Sequence, residues 1–153
     1  MKSIEATLDL VSKAVKSLKM QDHVLLTVIG GYAVIAHGIE RTTKDVDFCF
    51  YSDLYHKSDV QGLVESLKGV FPSHFGIRFI EGSKSLDDPF QHDVVFIEDI
   101  NGDYPRIDII VAKYHWELEG IKEAKSVKGI PLPVLPKPYL IAMKLNPKTE
   151  IGA

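Results

Sequence analysis

Carboxylates set inside apolar strand sequence constrain this chain more than any other feature. Asp45-Val46-Asp47 opens a run that continues Phe48-Cys49-Phe50, and Asp108 interrupts Arg106-Ile107-Asp108-Ile109-Ile110-Val111. Side chains alternate along a strand, so Asp45 and Asp47 are expected on one side, with Val46, Phe48 and Phe50 on the other, toward a core. Asp108 is flanked by isoleucines and is also expected on a strand. If the two strands are neighbours, three carboxylates converge. At about 5 Å and an effective dielectric near 20, each like-charged pair repels by roughly 3 kcal/mol, which protonates one acid unless a cation is held. Hard oxygen donors suit magnesium, which completes its shell with water and phosphate oxygens. The cluster therefore points to phosphoryl chemistry. The plainer alternatives are a solvent-facing strand edge for Asp45 and Asp47, and for Asp108 an ion pair with Arg41, Arg106 or a lysine.

With 153 residues, 45% hydrophobic and 25% charged, the chain is read as one domain, residues 1–153, with a sizeable core. A net charge of −3 and a pI near 6.0 exclude the global basic field that drives nonspecific nucleic-acid binding. Any polynucleotide partner has to meet a local patch. Cys49 is the single cysteine, which excludes an internal disulfide and a cysteine-based zinc site. A buried thiol in a reducing compartment is expected. Lysines and acids spread through the first twenty or so positions leave no apolar stretch of signal-peptide type, and no run of about 18 apolar residues occurs. A cytoplasmic protein without membrane contact is expected.

Along the chain, Ile4, Leu8, Val11, Val15 and Leu18 recur at helical spacing and predict an amphipathic helix over 4–19. Residues 24–29 read as a buried strand, then Gly30-Gly31, then a short helix over 32–37 closed by Gly38. The acid-bearing strand at 45–51 follows, then a helix carrying Val60, Leu63, Val64 and Leu67. Strands are expected at 75–80, 93–97 and 107–111, the last two joined across Asn101-Gly102. A helix over 115–125, an extended proline-rich stretch at 130–135 and a helix over 139–145 complete the pattern.

Gly30-Gly31, between a strand and a helix, fits a phosphate site, because glycine admits close backbone approach and the helix start offers free N–H groups. Taken alone it is more often a tight turn. It is neither a Walker loop nor the Gly-x-Gly-x-x-Gly pattern. Arg41, Lys44, Arg78, Lys84 and Lys144 are cations with the charge to meet a triphosphate, and Arg41 stands out because it lies in the segment that delivers the acid pair. The six histidines show no zinc-binding spacing, and no Gly-x-Ser-x-Gly elbow is present.

Ile29-Gly30-Gly31, Asp45-Val46-Asp47-Phe48 and Ile107-Asp108-Ile109 together resemble the signature of the polymerase β-like nucleotidyltransferase superfamily. The string from Gly30 through His37-Gly38 and Arg41 to Asp47, with Gly129 to Val134 and Leu140 to Leu145 downstream, is similar to the AbiEii-type toxin branch. The resemblance spans about residues 24 to 145. It implies an α/β (α+β) nucleotidyltransferase fold, a mixed sheet with helices packed mainly on one side. It also implies that Asp45 and Asp47 hold magnesium (or manganese), that Asp108 completes the site and accepts a proton, and that Gly30 and Gly31 contact the triphosphate. Arg41 and Lys144 are the further nucleotide-binding candidates. The expected activity is transfer of an NMP from an NTP to a hydroxyl on an RNA end, a protein or a small molecule, in a toxin-antitoxin setting. The expected protein partner is an antitoxin or a second copy of the chain. Members of the branch continue past the Lys144 helix into a helical region that this sequence, ending at Ala153, is expected to lack. The rival readings are a catalytically weak nucleotide- or partner-binding module and a magnesium-dependent phosphoesterase using the same acids.

Overall fold

The computed structural model describes residues 4–16, 24–29, 45–52, 57–82, 92–112 and 115–142. The elements are α1 (Ile4–Lys16), β1 (Val24–Ile29), β2 (Asp45–Ser52), α2 (Lys57–Val70), β3 (Phe75–Ile80), β4 (Val94–Asp99), β5 (Arg106–Val111) and α3 (His115–Glu123), with a further helical stretch at 137–142. The expected helix at 32–37 lies outside the described residues, as do positions 17–19 of the first and 143–145 of the last.

Five strands form one sheet in the order β1-β2-β5-β4-β3. β2 and β5 run parallel, and the other three pairings are antiparallel. The sheet is therefore mixed, and the class is α+β. Alternation sorts the side chains into two faces. Val28, Val46, Phe48, Phe50, Val95, Ile97, Ile107, Ile109 and Val111 share one face and are all buried. Leu8, Val11 and Ala14 of α1 and Val60, Leu63 and Leu67 of α2 belong to the same apolar cluster, and the two helices also lean on each other. Burying a Phe, Leu or Ile side chain contributes about 1.5–3 kcal/mol, so this layer is the main source of stability.

The other face differs between its two halves. On β1 and β2, Thr27 and Cys49 are fully buried where α3 packs against those strands. Burial, and then the nearby Glu117 charge, push the Cys49 thiol well up, so it stays neutral and inert. Glu117 is itself buried, with both carboxylate oxygens against Nε2 of His92 at 3.1 and 2.9 Å, which ties α3 to the residues leading into β4. Beyond β1 the chain returns at 133–135: the Val28 N–H donates to Pro133 O at 2.8 Å and the Leu135 N–H to Val28 O at 3.1 Å. That return also shortens α3. Lys125 exchanges hydrogen bonds with Val134 in an antiparallel bridge, so the helix ends at Glu123 rather than at 125. No helix among the described residues is long and apolar enough to cross a membrane.

Candidate active site

The half of this face formed by β5, β4 and β3 carries polar and exposed side chains, and the acids lie along its border. In the parallel β2/β5 pair, Asp47 and Asp108 are direct register partners, and Asp45 is the partner of Arg106. Partners in a ladder project to the same face, about 4.8 Å apart across the strands. The expected neighbourhood of the two acid-bearing strands is thus what the sheet contains. It arises because β2 and β5, far apart in sequence, are the central pair, each presenting apolar residues to the helical layer at every second position.

Asp108 does not stand alone. The Arg106 Nη2 donates to Asp108 Oδ2 at 2.9 Å, with the Arg106 side chain 46% exposed and the Asp108 side chain 16% exposed. Arg106 was one of the partners anticipated for a buried acid at this position. The pair lies on the Asp47 side of the sheet, not on the far face, so it adds a cation to the cluster and leaves the two acids together. The second oxygen, Asp108 Oδ1, is buried.

The next strand extends the same rung. Asp108 pairs with Phe96, and Phe96 with Arg78, so that Arg78, Phe96, Asp108 and Asp47 form one row across β3, β4, β5 and β2. The guanidinium carbons of Arg78 and Arg106 lie 5.7 and 5.9 Å from the Phe96 ring centroid. The sequence offers Arg78 only as one of five cations with the charge to meet a triphosphate, and it assigns Phe96 no role. The signal that would have found Phe96 is the parity of the Asn101-Gly102 hairpin, which puts it opposite Asp108.

Gly30, Gly31 and Arg41 fall within 30–44 and Lys144 within 143–153, outside the described residues, and the Asp45 side chain is likewise not described. No group of three or more His, Cys, Asp or Glu side chains able to hold a metal occurs among the described residues. The donor chemistry of the described pair nonetheless suits a hard divalent cation, since Asp47 and Asp108 are register partners on one face and Asp108 already holds the Arg106 guanidinium. A separate cleft of about 740 Å³, lined by Lys122, Lys125 and Lys137 among others, lies by α3 and 134–138 and includes none of the acids.

No protein-family model matches the chain, and no curated protein matches it. Solved structures do. A candidate nucleotidyltransferase from Thermotoga maritima aligns over 96% of this chain and 86% of its own, with a TM-score of 0.59 and 18% identity. ANT(2″)-Ia, solved in complex with adenylyl-2″-tobramycin, aligns over 95% of this chain and 78% of its own, with a TM-score of 0.55 and 19% identity. Terminal uridylyl transferase 4 from Trypanosoma brucei, with bound GTP, aligns over 72% of this chain at a TM-score of 0.48 and 17% identity, and the match covers 30% of that longer protein. The chain thus shares its fold with the first two of these proteins, and it spans about a third of the uridylyl transferase it matches.

Proposed function

We propose that this chain is a magnesium-dependent nucleotidyltransferase that moves an NMP from an NTP to an acceptor hydroxyl, releasing pyrophosphate. The observation that carries the reading is the register pairing of Asp47 with Asp108 on adjacent parallel strands, on a face with an open, polar half. Asp45, Asp47 and Asp108 are the proposed metal-holding residues. Bound there, the metal supplies neutralisation of the charge that develops on the α-phosphate and on the departing pyrophosphate. The carboxylates would hold the metal, and the acceptor oxygen forms its bond to the α-phosphorus as the bond to the pyrophosphate oxygen breaks. Asp108 takes up the acceptor's proton, the role its sequence resemblance implies. Arg106 holds the Asp108 carboxylate in one orientation. Gly30, Gly31, Arg41 and Lys144 are proposed to meet the triphosphate, in keeping with their sequence resemblance. That resemblance also supports an AbiEii-type toxin role with an antitoxin partner.

The first test is thermodynamic. Because the acids repel when no metal is bound, magnesium or manganese at roughly a hundred times its Kd stabilises the fold by about 2.7 kcal/mol, a rise of about 5–10 °C in Tm. Asp47→Asn combined with Asp108→Asn abolishes that rise and leaves the protein folded. A metal response unchanged in the double variant would show that the metal binds elsewhere.

A further inference from the structure

β3 ends the sheet, with no strand beyond it among the described residues. One bond shows which of its backbone groups face outward. The Ile100 N–H donates to His74 O at 2.9 Å, and His74 continues the register that pairs Gly76 with Glu98 and Arg78 with Phe96. Hydrogen-bonded pairs alternate along an antiparallel ladder, so Gly76, Arg78 and Ile80 direct their N–H and C=O groups to β4, whereas those of Phe75, Ile77 and Phe79 point away from the sheet. The same three residues carry the apolar side chains of the strand. Ile77 and Phe79 are register partners of Ile97 and Val95 and so project to the helical side. Phe79 is 38% exposed there, beside a hollow of about 290 Å³ that it lines with Val60 and Val64 of α2. Outward donors and acceptors next to an exposed aromatic ring form a template for another strand. Gly76 adds an independent observation. Glycine weakens a strand interior and often marks the close approach of another backbone. Nothing within this chain calls for it, since its φ is not positive and a Cβ would meet Glu98 O at an ordinary 3.9 Å.

We infer that the outer edge of β3 pairs with β3 of a second copy of this chain, antiparallel about a two-fold axis at Ile77, joining two sheets into one. This pairing does not depend on nucleotidyl transfer. A two-fold axis perpendicular to a sheet keeps every side chain on its own face, so it passes through a residue and not between two. Within Phe75–Ile80 the overlap is greatest with the axis at Ile77 or at Arg78. At Arg78 the two guanidinium groups would lie directly opposite each other and repel. At Ile77 the outward groups of Phe75, Ile77 and Phe79 all meet in register. On the helical side Phe75 then lies opposite the partner's Phe79, and Ile77 opposite the partner's Ile77. On the other face Arg78 lies opposite the partner's Gly76, and the next residue in that rung is the partner's Glu98. With no side chain at 76, arginine can reach across two strand spacings, about 10 Å, to that carboxylate. The contacts of Arg78 within its own chain are weak ones: Glu98 is 4.0 Å away with side chains 64% and 56% exposed, and the guanidinium carbon is 5.7 Å from the Phe96 ring centroid. In the paired copies two arginines and two glutamates alternate in sign. Arg106 remains bonded to Asp108, two strands further in. A strand of another sequence would need to supply the same apolar spacing, a glycine facing Arg78 and an acid behind it. A second copy supplies all three.

Sedimentation velocity over a protein range of about 1 μM to about 1 mM tests this, and a reversible passage from monomer to dimer is expected. Arg78→Glu sets acid against acid across the two-fold and is expected to weaken dimerisation by at least about tenfold. Adding Glu98→Arg to it restores the alternation of charge and is expected to return the affinity to within about threefold of the parent. Ile77→Pro removes an outward N–H that no bond inside the sheet uses, a position where an edge strand tolerates proline, and is expected to abolish the dimer. Arg78→Glu alters only an exposed side chain, so it carries the test even if Ile77→Pro unfolds. The register is read by Ile77→Cys, which places two thiols at the axis with Cα atoms about 5.5 Å apart, within disulfide reach. With oxidised glutathione as the oxidant, Ile77→Cys is expected to link two copies and Phe79→Cys, displaced from the axis, is not. Cys49 is buried and takes no part. A chain that stays monomeric over the whole range overturns the pairing and assigns the edge to a strand from another protein. A dimer unaffected by both Arg78→Glu and Ile77→Pro overturns it as well, as does faster linkage through Phe79→Cys than through Ile77→Cys.

Discussion

Arg106 and Asp108 are two residues apart on one strand, so alternation sends both to the same side, and their 2.9 Å ion pair follows from that spacing. The sequence shows this much, and it shows that Asp45 and Asp47 share a face. It does not show which strand lies beside which, and the pairing of Asp47 with Asp108 depends on that alone. Arg106 neutralises the acids in the same sense as a bound metal, so the two compete. Arg106→Gln is therefore predicted to tighten magnesium binding by about three- to tenfold, or about 0.7–1.4 kcal/mol, in line with a partly exposed ion pair. Calorimetric titration with magnesium measures it. An affinity that stays the same or falls would mean that Arg106 supports the metal site rather than occupying its charge.

At the scale of elements, local signals located nearly every described helix and strand, and the departures come from long-range pairing. The helix expected over 115–125 stops at Glu123 because Lys125 is drawn into the bridge with Val134, a contact no local periodicity encodes. Close packing of the same region fixes Gly120: a Cβ there would meet the Tyr139 ring at 2.8 and 2.9 Å and Leu135 Cδ1 at 3.0 Å. Alanine gains up to about 1 kcal/mol in helix propensity, and overpacking costs about 1–3 kcal/mol. Gly120→Ala should therefore lower stability in a denaturant titration by about 1–2 kcal/mol, and a stabilised variant would show that the ring moves aside freely. The β4–β5 hairpin was legible from Asn101-Gly102, and Gly102 does take a positive φ of 73°. What holds it is less visible in the sequence. The Asp99 carboxylate accepts from the N–H groups of Asn101, Asp103 and Tyr104 at 3.0, 2.8 and 3.1 Å. Desolvation pulls its pKa up, but the three N–H donors, with His74 nearby, outweigh it and hold the pKa below the usual value. A depressed carboxylate pKa stabilises the fold above the unfolded-state value and loses that contribution as pH falls through the folded one. Amide protection at 101, 103 and 104, taken relative to the intrinsic exchange rate at each pH, should consequently be lost only below the ordinary carboxylate range. Asp99→Asn should give fast exchange at neutral pH as well, and slow exchange there would rule out the turn's dependence on this side chain.

For the molecule as a whole, the β1-β2-β5-β4-β3 order makes one sheet serve two purposes. One face is given wholly to the helical layer, and half of the other is left polar, with the acids at its border. That division could be anticipated from the apolar-polar alternation in 45–50 and 106–111, whereas the row Arg78, Phe96, Asp108, Asp47 could not, because it needs three strand registers at once. The fold shared with nucleotidyltransferases and the acid pair together make one measurement decisive. The protein is incubated with magnesium and each of the four NTPs labelled at the α-phosphate, in the presence of total RNA, and the products are separated. Nucleotidyl transfer predicts label in a larger acceptor with equal release of pyrophosphate. It further predicts that Asp47→Asn and Asp108→Asn each lower the rate by at least about a hundredfold, or about 2.7 kcal/mol of transition-state stabilisation. Label appearing only as free NMP, or transfer that survives undiminished in both variants, would contradict it.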